Sequence, residues 1–235
     1  MHRDDDMGSS SPRRALIAGA TGLVGRELVE RLLADPACRS LTVLVRRLDA
    51  LPPRPKLALV ELSDAALASL PALDDVYVAL GTTIAVAGSE AAFRAVDLDL
   101  VVAVARAARA AGATRLALVS AHGADTRSRI FYNRVKGEAE AAVRTLGFER
   151  VAIARPSLLL GHRERLGQPP RPIERLAMRL GPLLGVLPAS VRPIAAGAVA
   201  AALVDALHRA PSGVEVLTSA GMQSFARAGH RAPAE

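Results

Sequence analysis

Three glycines at three-residue intervals, Gly19, Gly22 and Gly25, separate a short apolar run at residues 15–18 from a segment whose apolar side chains recur with helical period. A strand that turns directly into a helix through glycines constrains the fold more than any other stretch of this chain. Bare backbone permits the tight turn, lets a pyrophosphate come close to the main chain, and leaves its charge at the positive end of the helix. The spacing is G-x-x-G-x-x-G, not the commoner G-x-G-x-x-G, so its meaning comes from the strand–turn–helix setting.

The rest of the chain repeats that alternation. Short β-branched and leucine-rich runs predict strands at residues 15–18, 41–45, 57–60, 76–80, 116–119, 151–154 and 214–217. Helical periods lie between them, as at 26–34, where Leu28, Leu32 and Leu33 share a face, and at 96–111 with Val101, Val104 and Ala108. The strand runs are continuously apolar, as expected of strands covered on both sides. The pattern predicts an α/β fold, a doubly wound and mostly parallel sheet of Rossmann type. One domain is expected over 13–219, preceded by a disordered leader at 1–12 and followed by a loose tail at 220–235. Residues 161–193, punctuated by Gly and Pro, read as an irregular lid over the ligand-binding edge of the sheet.

Composition removes several classes of function. No run reaches the roughly 20 apolar residues of a membrane span. The formal charge is +7, but its arginines are spread over every segment and aromatics make up only 3%, which argues against nucleic acid as a partner. Cys38 is the single cysteine, so no internal disulfide can form, and a reducing cytoplasm is the expected location. The five histidines show no metal-ligand spacing, and no metal is expected.

Two constellations carry chemistry. Arg46 and Arg47 follow the second strand, where NAD enzymes usually hold an acid against the ribose 2′-hydroxyl; guanidinium groups there suit a 2′-phosphate, favouring NADP(H) over NAD(H). Tyr132 and Lys136 stand four residues apart, on one face of a helix, and Ser120 lies twelve residues before Tyr132 at the end of a strand. A cation beside a phenol favours the phenolate, which makes the tyrosine a usable general acid or base. His122 and His162 are weaker candidates that ordinary loop hydrogen bonds would explain.

Together with Leu80, Gly81, Thr82, Thr83, His122–Asp125, Gly137, Glu138 and Arg155–Ser157, these residues resemble the short-chain dehydrogenase/reductase superfamily, and more closely its atypical Tat-interacting-protein-like oxidoreductases. The resemblance spans about residues 14–208. It implies hydride transfer between NADP(H) and a small carbonyl or alcohol substrate, with Ser120 hydrogen-bonding the substrate carbonyl, Tyr132 donating its proton, and Lys136 holding the nicotinamide ribose. It further implies that Gly19, Thr21, Gly22, Leu23, Val24 and Gly25 carry the pyrophosphate, that Leu80, Gly81, Thr82 and Thr83 line the cofactor, that Glu61 and Leu62 flank the adenine, and that Pro156 and Ser157 lie near the carboxamide. Asp97 departs from the family, many of whose members have an asparagine there that supports a proton relay. A cofactor-sensing scaffold acting on a regulatory protein partner, and a nucleotide-sugar epimerase or dehydratase, are the rival readings. A homodimer is compatible with such a fold without being demanded by it.

Overall fold

A computed structural model of the chain describes residues 12–160, 191–209 and 212–228. Seven parallel strands form one sheet: β1 (Arg13–Ala18), β2 (Cys38–Val45), β3 (Leu57–Glu61), β4 (Asp75–Val78), β5 (Arg115–Val119), β6 (Arg150–Arg155) and β9 (Gly213–Thr218), in the order β3-β2-β1-β4-β5-β6-β9. The order reverses between β1 and β4, and the crevice beyond the carboxyl ends of those two strands is where such sheets take ligands. The doubly wound sheet is therefore borne out. The predicted 76–80 strand shifts to Asp75–Val78, leaving Ala79 and Leu80 to turn into the crevice.

The helices are α1 (Leu23–Ala34), α2 (Asp64–Ala68), α3 (Ile84–Ala87), α4 (Glu90–Arg94), α5 (Val101–Ala110), α6 (Phe131–Arg144), α7 (Ala196–His208) and α8 (Ser219–Ala228). Ser63, Thr83 and Ser89 start the three short ones, each accepting a hydrogen bond from the N–H three residues on, at 3.2, 3.1 and 3.1 Å. On one face of the sheet Ile17, Val43 and Tyr77 pack with Leu28 and Leu32 of α1 and Leu203 of α7. On the other, Leu16, Val76 and Val78 pack with Phe93, Val101 and Val104 and with Val135 and Val143 of α6. Burial on both faces is what the unalternating strands anticipate.

Two local expectations are corrected. The helix expected at 96–111 runs instead from Glu90 to Ala110, with its middle, Ala95–Leu100, wound as a π-helix. Such a turn arises when one extra residue is accommodated inside a helix. The tail after Ser219 is helical to Ala228 and fastened by fully buried Met222, which joins the α7 side of the core. Most of the region read as a lid, 161–190, lies outside the described residues, as do the leader to residue 11 and His162. Its flanks meet: β7 (Leu159–Leu160) pairs in parallel with β8 (Ile194–Ala195).

At the amino end of the sheet, opposite the crevice, Asp75 is 1% exposed and meets Arg13 at 3.2 Å, Arg115 at 2.6 Å and His208 at 2.9 Å. A carboxylate so far from water is tolerable only because cations surround it. No helix among the described residues is long and apolar enough to cross a membrane.

Candidate functional site

The crevice at the switch point is a cleft walled by Gly22, Leu23 and Val24 at the start of α1, residues 79–83 after β4, Asp97, Ser120 after β5, and Tyr132 and Lys136 on α6. Pro156, Ser157, Leu158 and Leu159 close its far side.

The glycine turn has a division of labour. Gly19 has φ +92°, in the left-handed region that favours glycine, and a Cβ there would stand 2.4 Å from the Ala79 carbonyl oxygen. A Cβ on Gly25 would stand 2.0 Å from the Gly19 oxygen. Both glycines are thus required by the protein's own packing. Gly22 is different: its φ of −77° and ψ of 173° suit any residue, and a Cβ would meet only the Gly19 oxygen, at 3.4 Å. Nothing in the chain itself calls for a glycine there, yet the residue faces the cleft. It caps α1 without a side-chain hydrogen bond, and the first turn holds no acid, so the leading N–H groups are open to an anion. Those features fit a bound dinucleotide.

Across the cleft three polar groups are almost wholly withdrawn from water: Asp97 at 0%, Lys136 at 5% and Ser120 at 6% exposure. The π-helical turn carries Asp97, whose Oδ2 accepts the Thr82 N–H at 2.9 Å while Oδ1 faces Lys136 Nζ at 2.7 Å. That second contact is an ion pair off the line of a hydrogen bond, since Oδ1 has no aligned donor. The carboxylate thereby ties the loop after β4 to the ammonium on α6 directly. Tyr132 lines the cleft and packs on Phe93, with ring centroids 5.3 Å apart and planes at 37°.

A further residue escaped the sequence reading. Glu140, 2% exposed, receives the Ser120 hydroxyl at 2.6 Å and both Nε and NH2 of Arg155, at 2.9 and 2.7 Å. That hydrogen bond raises the Arg155 pKa above its ordinary value. The available signal was spacing: Tyr132, Lys136 and Glu140 recur every four residues along one helix face.

Of the expected residues, the cleft gathers Gly22, Leu23, Val24, Leu80, Gly81, Thr82, Thr83, Ser120, Tyr132, Lys136, Pro156 and Ser157. Gly19, Thr21 and Gly25 shape the turn from outside its lining. Arg46 and Arg47 are exposed beyond β2; Arg47 is engaged with Asp49 at 2.5 Å, whereas Arg46 forms no ion pair among the described residues. Glu61 ends edge strand β3, and Leu62 donates its N–H to the Val45 carbonyl at 2.8 Å. The Ser157 hydroxyl is turned to the Arg192 carbonyl, at 2.5 Å, and to Ser219 Oγ, at 2.9 Å. His122 is exposed and outside the lining, its N–H bound to the Pro156 carbonyl at 2.9 Å. No cluster of candidate metal ligands occurs among the described residues.

A glycine-rich strand-to-helix turn beside a serine, tyrosine and lysine points to the class, and comparison agrees: the chain belongs to the NAD(P)H-binding family, whose profile matches residues 19–167. Within it, the chain groups with the FMP52 proteins. Emericella nidulans protein fmp52, mitochondrial, is 37% identical over 185 residues, covering 75% of this chain and 78% of its own. Candida albicans FMP52, mitochondrial, is 39% identical over 155 residues, covering 63% of this chain and 68% of its own. Those names correct the cytoplasmic location expected from the lone cysteine, because the relatives are designated mitochondrial.

Solved structures share the fold. The Bordetella bronchiseptica enzyme WbmG in complex with NAD superposes with a TM-score of 0.66 at 20% identity, over 97% of this chain and 81% of that one. The UDP-N-acetylglucosamine 4-epimerase of Methanobrevibacter ruminantium gives 0.67 at 15% identity, over 89% and 77%. The resemblance to atypical short-chain dehydrogenases/reductases drawn from the motifs is borne out at the level of the fold and of dinucleotide binding.

Proposed function

We propose that the protein is an NADP(H)-dependent oxidoreductase that moves hydride to or from a small alcohol or carbonyl compound, with Tyr132 as general acid and base. One observation carries this reading. A single cleft joins the open amino end of α1, at Gly22, to Ser120, Tyr132 and Lys136.

In this reading the N–H groups of Leu23 and Val24 hold the pyrophosphate, which comes in over Gly22, supported by the turn residues Gly19, Thr21 and Gly25. Leu80, Gly81, Thr82 and Thr83 line the dinucleotide, Glu61 and Leu62 flank the adenine, and Pro156 and Ser157 border the nicotinamide end. Arg46, without an ion pair among the described residues, receives the 2′-phosphate, with Arg47 beside it. The bound cofactor supplies or accepts the hydride. The chain's own residues do the rest: Tyr132 exchanges a proton between its phenol oxygen and the substrate oxygen, Ser120 holds the substrate, and Lys136 binds ribose hydroxyls. Asp97 keeps Lys136 in place from the π-helical turn by direct ion pairing.

Titration with NADPH and with NADH, followed by nicotinamide fluorescence, tests the reading in wild type and Arg46→Ala. Tight NADPH binding that the substitution weakens selectively is the expected result, with carbonyl reduction lost in Tyr132→Phe. Failure to bind either nucleotide sinks the proposal.

A further inference from the structure

Arg26 stands exposed in the first turn of α1, where its N–H closes the first helical bond to the Gly22 carbonyl at 3.0 Å. Side chains on a helix lean towards its amino end. This one leans far enough for Nε to donate to the Thr21 carbonyl at 3.3 Å, so the guanidinium lies beside the glycine turn. The acids within reach along the helix are turned elsewhere. Glu30, four residues on and the ordinary helical partner of an arginine, meets Arg54 at 2.5 Å. Glu27 faces α7, its carboxylate lying against Gly197. Arg26 forms no ion pair among the described residues, and with Nε spent on Thr21 the two terminal nitrogens of its fork keep their hydrogens for another acceptor. The contact also reverses the sign of the field at the turn, because a cation covers the negative end of the Thr21 peptide dipole.

We propose that Arg26 is a cofactor-binding residue whose terminal nitrogens grip the pyrophosphate from the solvent side of the turn. The inference rests on the nucleotide-binding part of the oxidoreductase reading and adds a contact to it. The N–H groups of Leu23 and Val24 hold the diphosphate from the helix, and the guanidinium closes over it with charge-assisted hydrogen bonds, for which its planar fork is suited. Two arginines then divide the charge of the cofactor. Arg46 takes the 2′-phosphate and separates NADPH from NADH; Arg26 takes the diphosphate that both nucleotides share.

That division gives the experiment. NADPH and NADH are titrated against wild type, Arg26→Gln and Arg46→Ala, with nicotinamide fluorescence as the signal and thermal melting on the same samples. Glutamine removes the charge and is as good a helix former, so Arg26→Gln should melt with wild type. Its Kd is expected to rise about tenfold for NADPH and by the same factor for NADH, the loss of one hydrogen bond to a charged group. Arg46→Ala should instead weaken NADPH alone. An NADPH affinity that Arg26→Gln leaves unmoved overturns the assignment, and so does a loss confined to NADPH, which would put Arg26 on the 2′-phosphate. Wild-type protein that binds neither nucleotide refutes the reading beneath and this inference with it, whereas wild-type binding with an unmoved Arg26→Gln refutes the role of Arg26 alone.

Discussion

Replacing Gly22 by alanine should weaken nucleotide binding while leaving the fold intact. Its backbone is extended, at φ −77° and ψ 173°, and the added methyl would meet only the Gly19 carbonyl oxygen at 3.4 Å. Losing a glycine's freedom in the unfolded chain stabilises by about 0.4–1 kcal/mol. The poorer capping tendency of alanine opposes this by a similar amount. The balance is within about 1 kcal/mol, or a melting shift under about 4 °C for a chain of this size. Binding behaves otherwise, because the methyl occupies the approach to the first N–H groups of α1. Loss of one hydrogen bond to a charged phosphate costs about 1.5–3 kcal/mol, a ten- to hundredfold rise in Kd. Gly25→Ala is the control, since its Cβ would lie 2.0 Å from one backbone atom and 2.7 Å from two others. That overlap should cost about 3 kcal/mol or more and at least about 6 °C. Nicotinamide fluorescence and thermal melting on the same samples give both numbers. Unchanged NADPH affinity in Gly22→Ala, or a melting loss as large as that of Gly25→Ala, would refute the reasoning.

Three other outcomes follow from the fold. Asp75→Asn removes the charge that Arg13 and Arg115 share; with Arg115 partly open to solvent, the loss should be about 2–3 kcal/mol, read as a melting point roughly 5–10 °C lower. Asp74 is held below the usual carboxylate range, chiefly by its hydrogen bond from Arg14 and in spite of partial desolvation. Its contribution is therefore complete above the unfolded carboxylate pKa and lost as pH falls through the folded one, so the melting difference between wild type and Asp74→Asn should shrink below about pH 4. Burial pushes the Cys38 thiol pKa up, and the side chain is 2% exposed, so an aromatic disulfide reagent at neutral pH should label it only as fast as the protein opens. Rapid stoichiometric labelling of the native protein would contradict that placement.

The parts legible in the sequence were those set by local pattern. Strand runs without alternation announced a sheet covered on both faces, and Gly19, Gly22 and Gly25 announced the turn that opens α1. The four-residue step from Tyr132 to Lys136 is enough to put both on one helix face. What stayed hidden depends on which elements meet. Nothing in residues 95–100 signals i→i+5 winding, so the pairing of Asp97 with Lys136 could not be foreseen. Glu140 shares the Tyr132 face, but its significance depends on Ser120 and Arg155 arriving from β5 and β6. The last helix was missed because residues 219–228 are rich in small side chains, and it is Met222 docking beside α7 that holds them.

The π-helical turn leaves this protein one residue away from a different molecule. Excising a single amino acid between Ala95 and Leu100 would let α4 and α5 merge into an unbroken α-helix, and the rotation that follows would swing the carboxylate away from Lys136. Such a deletion variant gains regular hydrogen bonding while Thr82 and Lys136 lose their common tether. Sturdiness and aim are thus set against each other by the count of residues in one helix, and the loss of three nucleotides is enough to trade one for the other.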